Sequence, residues 1–215
     1  MIYMRKTAII PLAIVIISFA IGIYFYPQMP DRMPSHWNAY GQIDGYSSRE
    51  LGLFLVPGIM LVFVPLFLVI PKIDPLKGNI MAFIKYYDGF IILFSAYMLY
   101  LYLMIIVAAL GIPFNMTEAL IPAISALFIY IGILLSKAKQ NWFIGIRTPW
   151  TLSSGVVWEK THKIGSKLFI IAGIASLIGV AFPPYGIFVM IISALLAAVI
   201  TVVYSYLEYQ KVKNN

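Results

Sequence analysis

The sequence predicts an all-α membrane protein, a bundle of six transmembrane helices with both termini in the cytoplasm. Three observations lead to this prediction: the composition, six long apolar runs, and an uneven distribution of Lys and Arg. Of the 215 residues, 62% are hydrophobic and 11% are charged. Soluble domains are about 45–50% apolar and about 25% charged, and a soluble fold of this composition would expose large apolar patches. The composition therefore indicates an integral membrane protein.

Six runs of the sequence have the length and apolarity of membrane spans. A helix that crosses about 30 Å of hydrocarbon needs about 20 mostly apolar residues. The runs are continuously apolar rather than alternating, which favours helices over a β-barrel. The first run lacks a small-residue cleavage site at its end, so we expect a retained helix rather than a signal peptide. The predicted spans are residues 7–26, 51–70, 86–110, 119–136, 167–182 and 186–206.

The positions of Lys and Arg predict the orientation of these spans. Thirteen of the 15 lie near the termini or in the loops after the second and fourth spans, and only Arg32 and Arg49 lie on the other side. Cytoplasmic loops of membrane proteins carry an excess of Lys and Arg. We therefore expect a cytoplasmic loop at 137–166 and an external loop at 27–50. The same reasoning accounts for the net charge of +7, so no direct binding of nucleic acid is expected.

The external loop is rich in Pro, Gly, Ser and Asp, so we expect turns rather than a helix. His36 and Asp44 could contribute to a metal site, but such a site needs about three or four ligands. We favour a folded loop whose His and Trp anchor it on the helix ends. Aromatic side chains on a rigid turn would suit contact with an external peptide equally well. The candidate residues of this loop are Pro34, His36, Trp37, Asn38, Gly41, Asp44 and Tyr46.

The cytoplasmic loop has two parts. Residues 141–151 are too apolar for free solution and too interrupted by Gly and Pro for a span, so we expect them in the membrane interface or docked against the bundle. Arg147 would then lie near lipid phosphates or a carboxylate. The second part begins at Ser153-Ser154, a candidate N-cap. Helical spacing of its apolar residues predicts a helix that continues into the fifth span.

Glu159 and His162 lie three residues apart and share a face of that helix. A Glu-x-x-His pair is one half of the metal site in carboxylate-bridged bundles, but such sites need a second copy. The chain has no cysteine, which excludes thiolate metal sites and thiol nucleophiles. We therefore expect no metal and no cofactor. The alternative interpretation is a membrane-embedded enzyme or a small transporter. Its functional residues would be His36 with Asp44, or Glu159 with His162. The spans, however, are almost free of the charged residues that transporters usually carry.

Two stretches resemble a known family. The first, in the cytoplasmic loop, is NWFIGIRTPWTLSSGVVWEKTHKIGSKLF, and it resembles the signature of the SdpI family of bacterial and archaeal multi-pass membrane proteins. The second is MPSHWNAYGQIDGYSSRELG, which resembles the short membrane domain of unknown function that often precedes that signature. The resemblance implies a two-helix unit at 1–85 and a four-helix unit at 86–215. The candidate residues of the cytoplasmic signature are Asn141, Gly145, Arg147, Thr148, Pro149, Trp150, Trp158, Glu159 and His162.

The resemblance also implies a function. The named member of the family is an immunity protein against a secreted toxic peptide, and it holds a transcriptional repressor at the membrane when the toxin is present. Carried over to this chain, the resemblance implies a non-enzymatic immunity and signalling protein in a prokaryotic cell membrane. The expected partners are the lipid bilayer, an external toxin peptide at the external loop, and a cytoplasmic repressor protein at the cytoplasmic loop.

Overall fold

The computed structural model describes residues 6–182 and 185–213, and 78% of it is helical. Six helices are long and apolar enough to cross a membrane, which confirms the predicted six-helix membrane fold. Which side the termini occupy stays a prediction from the charge distribution, and the names cytoplasmic loop (137–166) and external segment (27–50) follow that prediction. The elements in chain order are α1 (Ile9–Phe25), β1 (Arg32–Trp37), β2 (Ile43–Ser48), α2 (Arg49–Ile73), α3 (Lys77–Ala82), α4 (Ile84–Ala109), α5 (Met116–Lys137), α6 (Pro149–Ser153), α7 (Gly155–Gly179) and α8 (Gly186–Lys213).

The helix α7 begins well before the span that the apolar run alone predicted. Its N-cap is Ser154, whose hydroxyl accepts a hydrogen bond from the backbone N–H of Val157 at 3.4 Å. The cytoplasmic helix and the fifth span are thus one continuous helix, as the capping signal indicated. The short connection between the last two spans, for which the Pro-Pro-Tyr-Gly sequence predicts a tight turn, contains Pro183 and Pro184, which lie outside the described residues.

The helices α1, α2 and α4 share one apolar core. It contains side chains from all three helices, such as Val15, Met60 and Tyr102, and all are almost fully buried. Met33 of the strand β1 belongs to the same core and packs on Gly52, where an added Cβ would lie 2.7 Å from the Met33 side chain. The external segment is therefore fixed to the ends of these helices.

The helices α5, α7 and α8 form a second group, in which glycines allow close approach of the backbones. A Cβ at Gly132 of α5 would lie 2.6 Å from the Ser166 carbonyl oxygen and 2.6 Å from Ile170 of α7. A Cβ at Gly173 of α7 would lie 2.8 Å from the Ser125 carbonyl oxygen of α5. These contacts fix α5 and α7 antiparallel in one register, in the manner of small residues at helix interfaces in membranes.

A smaller core joins both groups at one end of the spans. Ile144 of the cytoplasmic loop and Trp158 of α7 pack there with Ile80, Phe83 and Tyr87, which come from α3, α4 and the turn between them. The loop is therefore docked against the bundle, which is one of the two arrangements expected from its sequence.

The external segment forms an antiparallel β-hairpin rather than turns alone. The strands β1 and β2 pair from Arg32 opposite Ser48 to Trp37 opposite Ile43, with a register irregularity at His36. The sequence predicted turns and no strands here, because the pairing is long-range and leaves only a weak alternating pattern in the sequence. The hairpin forms here because its buried face packs on α2 and α4.

Candidate functional site

The cytoplasmic loop folds around the side chain of Asn141, which is fully buried. Its amide nitrogen donates to the carbonyl oxygens of Lys139 at 2.8 Å and Ile144 at 2.9 Å. Its Oδ1 accepts from the backbone N–H groups of Phe143 at 2.9 Å and Ile144 at 2.6 Å. These four bonds use the full hydrogen-bonding capacity of the side chain. Asn141 therefore acts by holding the loop backbone in a turn.

Asp74, at the end of α2, attaches this turn to the rest of the bundle. It is 2% exposed, and its carboxylate accepts from the backbone N–H groups of Trp142 at 2.9 Å and Leu76 at 2.6 Å. Asn79 of α3 adds a bond from its amide to the carbonyl of Gln140 at 2.7 Å. Sequence reasoning missed both roles. The available signal was an Asp directly after a long apolar helix, a position where side chains often bond to free backbone groups.

Gly145 and His162 meet on the inner face of the loop. The φ angle of Gly145 is +116°, and a Cβ there would collide with the Nε2 atom of His162. Ile146 donates its backbone N–H to Nε2 at 3.1 Å, and Nδ1 lies 2.9 Å from the Trp158 carbonyl oxygen. Because Nε2 accepts, the ring proton is assigned to Nδ1. Both ring nitrogens of His162 are thus bonded to backbone groups.

Trp158 connects three parts of the site. Its ring stacks on His162 with centroids 4.0 Å apart, and its indole N–H donates to the carbonyl of Ala138 at 2.9 Å. Ala138 is the C-cap of α5, whose last carbonyls have no partner within the helix. A buried Trp with its N–H satisfied is a stable core element, so it fixes the end of α5 to the start of α7.

The Thr-Pro-Trp run forms the start of the short helix α6. Thr148 accepts from the backbone N–H of Thr151 at 3.2 Å, and the Thr151 hydroxyl accepts from the backbone N–H of Thr148 at 2.9 Å. This reciprocal pair is a capping box. Pro149 occupies the first helical position, where its fixed φ and missing N–H are tolerated.

The same run contacts α8. The Thr148 hydroxyl lies 3.0 Å from the hydroxyl of Ser205, and both side chains are buried. The Trp150 ring meets Tyr206 edge to face, with centroids 5.1 Å apart. The last span therefore holds the loop from a second side. Sequence reasoning missed Ser205, because a serine within an apolar span gives no signal of its partner.

Arg147 and Glu159 are exposed. The Arg147 guanidinium donates to the carbonyl of Trp142 at 2.8 Å and forms no ion pair with a described carboxylate. Of the two partners expected for Arg147, a lipid phosphate or a carboxylate, the carboxylate is not found among the described residues, and the rest of the guanidinium is exposed. Glu159 lines a groove together with His162 but makes no hydrogen bond to it within the described chain.

At the other end of the spans, two side chains pair across the hairpin. His36 Nδ1 lies 2.5 Å from Asp44 Oδ1, and these side chains are 71% and 43% exposed. Tyr46, two residues after Asp44, is also exposed. The Arg32 guanidinium lies 5.6 Å from the centroid of its ring. Within residues 6–182 and 185–213, no group of three or more His, Asp or Glu side chains is arranged to hold a metal ion.

Other candidate residues of the hairpin build its tip. The side-chain Oδ1 of Asn38 accepts hydrogen bonds from the backbone N–H groups of Tyr40 at 2.9 Å and Gln42 at 3.1 Å. Gly41 has a φ of +76°, and a Cβ there would collide with Asn115 at the start of α5. Asn115 in turn donates to the Tyr40 carbonyl at 3.2 Å. The tip is thus fitted onto α5 by contacts that only the tertiary structure reveals.

Pro34 and Trp37 complete the external set. Pro34 is buried and follows Met33 in β1, and Trp37 is half-buried. Asn115, besides its contact with the hairpin, is the N-cap of α5 and accepts from the backbone N–H of Glu118 at 3.2 Å. The exposed residues suited to contact are therefore His36, Asp44 and Tyr46.

Two family descriptions match the parts of the chain that carry these two sites. Residues 137–205 match the SdpI/YfhL protein family, and residues 13–61 match the Domain of unknown function (DUF1648). Fold and site thus define a six-span membrane protein with an SdpI-type signature, and the resemblance noted from the sequence is confirmed.

One curated relative aligns along nearly the whole chain. It is the Immunity protein SdpI of Bacillus subtilis (strain 168), which is 29% identical over 211 residues, covering 98% of this chain and 99% of that protein. The similarity therefore includes all six helices and both polar segments. No solved structure matches the chain.

Proposed function

We propose that this chain is a non-enzymatic immunity protein of a prokaryotic cell membrane that protects the cell against a secreted toxic peptide. The observation that carries the proposal is the extent of the similarity to the Bacillus protein, which includes both polar segments as well as the spans. A protein that responds inside the cell to a ligand outside needs one surface at each end of its helices, and the presence of one folded polar segment at each end supports the proposal.

We assign toxin contact to the outer face of the hairpin. Tyr40 is 61% exposed and Tyr46 is 52% exposed, whereas the opposite face is anchored through Met33. Exposed aromatic side chains on a rigid support are favourable contact anchors. A cavity of about 330 Å³ lies between the hairpin tip and the adjoining ends of α5, α7 and α8, with Tyr40 and Glu118 in its lining. It could accept a side chain of the bound peptide.

The helix α5 is the proposed connection between the two surfaces. At its first end Asn115 bonds to the Tyr40 carbonyl, and at its second end the Ala138 carbonyl accepts from Trp158. Its 22 residues span about 33 Å. A toxin that binds one arrangement of the hairpin more tightly would shift the population of that arrangement. Movement of α5 would then reach Trp158 and the cytoplasmic loop.

We assign repressor binding to the cytoplasmic loop. Trp142 is 50% exposed and Phe143 is 39% exposed, and Arg147 lies beside them. Aromatic and Arg side chains are enriched where proteins bind one another. In this proposal the unit at 1–85 carries the sensing surface, and the unit at 86–215 carries the responding surface.

The geometry of the candidate catalytic pairs supports a non-enzymatic role. An acid–base pair of Glu159 and His162 would need a free ring nitrogen, but both nitrogens of His162 are bonded to the backbone. The pair of His36 and Asp44 is exposed to solvent rather than enclosed in a pocket that could hold a substrate.

A survival assay tests the immunity proposal. Sensitive bacteria would express the chain and meet the toxic peptide encoded nearest to it, or the peptide known for the SdpI family. We expect the parent to protect, Tyr46→Ala to lose protection, and Ser35→Ala, an exposed change on the same hairpin, to keep it. Equal amounts of protein in the membrane fraction would be verified by immunoblot. A well-inserted parent that gives no protection would contradict the proposal.

A second assay tests the cytoplasmic surface separately. The repressor would be followed in membrane and soluble fractions with and without toxin. We expect Arg147→Ala to protect like the parent but to leave the repressor in the soluble fraction, since Arg147 is exposed and supports little of the fold. Recruitment by Arg147→Ala at the level of the parent would exclude this residue from the partner surface.

A further inference from the structure

Four lysines converge on one groove at the cytoplasmic end of α5 and α7. The groove has a volume of about 820 Å³, and the lysines in its lining are Lys137, Lys139, Lys163 and Lys167. Its lining also contains the apolar side chains of Leu135 and Trp158. This groove is distinct from the exposed surface around Arg147, which does not contribute to its lining.

These lysines are not neutralised by the protein. None of the four forms an ion pair with a carboxylate in the described parts of the chain, and Glu159 is the only acidic residue of the lining. Glu208 of α8, which is not part of the lining, is bound by Lys160 and Lys211 at 2.7 Å each. Four ammonium groups around one carboxylate leave a strong positive potential, which favours binding of an anion.

The position of the lysines along the helices indicates where this anion lies. The register of α5 against α7, set by Gly132 beside Ser166, brings Lys137 level with Lys163. Lys167 is one helical turn, about 6 Å, nearer to the membrane centre. Lys167 is exposed, and its flexible stem allows the ammonium group to extend along the groove toward the interface. Because the predicted fifth span begins at Lys167, we expect this positive charge at the depth of the lipid phosphates.

We propose that this groove binds the phosphate of an anionic phospholipid of the inner leaflet. The ammonium groups of Lys137, Lys163 and Lys167 would surround the phosphate, and the apolar part of the lining would contact the start of an acyl chain. Basic pockets between spans on the cytoplasmic side suit such headgroups. Because Trp158 and His162 form one wall of the groove, a bound lipid would also stabilise the docked cytoplasmic loop.

Lipid retention by the purified full-length protein tests this inference. The protein in mild detergent would be incubated with phosphatidylglycerol or phosphatidylcholine, and bound lipid would be counted by native mass spectrometry. We expect the parent to retain phosphatidylglycerol preferentially. The double change Lys163→Gln and Lys167→Gln should weaken this retention at least about ten-fold, since each basic residue contributes substantially to binding of anionic lipid.

Matched variants distinguish a built site from general attraction of charge. Lys72→Gln with Lys77→Gln removes the same charge outside the groove and should leave retention within about two-fold of the parent. Glu159→Gln removes the acid of the lining and should increase retention, a result that misfolding cannot produce. Equal loss in both double variants, or no preference for phosphatidylglycerol over phosphatidylcholine, would overturn the proposal. Displacement by millimolar inorganic phosphate would instead indicate a site for a soluble anion.

Discussion

Three buried polar side chains have the same role in the cytoplasmic loop: those of Asn141, Asp74 and His162. Each is almost fully buried, and each bonds to backbone groups of the cytoplasmic loop. The loop has little regular structure, so its backbone N–H and C=O groups have few partners of their own. Leaving such groups unpaired in an apolar environment costs several kcal/mol each. The polar residues of the signature thus make an irregular segment compatible with the membrane boundary.

The backbone angle and the close neighbours of Gly145 leave no room for a side chain at this position. We expect Gly145→Ala to destabilise the protein by roughly 1–3 kcal/mol, because an L-residue at this φ is strained and its Cβ would displace His162. Thermal unfolding in detergent would show a lower melting temperature. Gly58→Ala is the matched control, since a Cβ there meets nothing within 4 Å and alanine favours the helix. Equal melting temperatures for parent and Gly145→Ala would contradict the argument.

Asp74 provides a second test at the residue scale. Asp74→Asn should weaken loop docking by roughly 1–3 kcal/mol, since the amide keeps one acceptor oxygen and brings a donor toward a backbone N–H. We expect faster trypsin cleavage after Lys139 and Arg147. Asp44→Asn, a similar change at an exposed site, should leave cleavage of this loop unchanged. Comparable cleavage in both variants would mean that Asp74 does not hold the loop.

At the scale of elements, α6 shows how a helix too short to be stable alone is maintained. It has five residues, and isolated helices shorter than about 12–15 residues are marginal in water. Its N-terminus is capped by Thr148, and its surface is covered by α8 through Ser205 and Tyr206. The helix therefore depends on contacts with an element more than 50 residues away in the chain.

The cap of α6 can be tested with a conservative control. Thr148→Ala removes the cap and the contact with Ser205, so we expect a loss of at least about 1 kcal/mol. Thr148→Ser keeps the hydroxyl and should stay within about 0.5 kcal/mol of the parent. Chemical denaturation in detergent would compare the two. A serine variant as unstable as the alanine variant would show that the methyl group, rather than the cap, is what matters.

At the scale of the whole molecule, polar structure is concentrated at the two ends of the six helices. The hairpin is fixed to α2, α4 and α5 at one end, and the cytoplasmic loop is fixed to α3, α5 and α8 at the other. Outward-facing side chains of the spans are mostly large and apolar, as on α8. In the proposed function, a change at one end would therefore have to pass to the other through the packing of these helices.

The absence of cysteine makes the orientation of the whole molecule directly testable. The parent has no thiol, so a single Ser35→Cys or Ser153→Cys variant carries the only reactive group. Both serines are exposed. We expect a membrane-impermeant maleimide to label the Ser35→Cys variant on intact cells, and the Ser153→Cys variant only after permeabilisation. The reverse pattern would invert the orientation.

The limits of prediction from the sequence follow from the range of the interactions. The N-cap at Ser154 and the continuation of α7 were predictable, because capping and helical periodicity are local. The roles of Asp74 and Asn115 were not, since Asp74 bonds to a residue 68 positions away and Asn115 to one 75 positions away. Single sequences carry no record of such pairs.

The sequence by itself determined that this protein has six membrane helices and which segments connect them, because transfer of apolar surface into lipid depends on each run alone. It also located the two polar segments that match known families. Only the tertiary structure decided that the external segment pairs as a hairpin, that His162 is bonded to the loop backbone, and that four lysines surround one groove. The physical reason is that these features arise from the packing of distant helices, which fixes distances that no local pattern encodes.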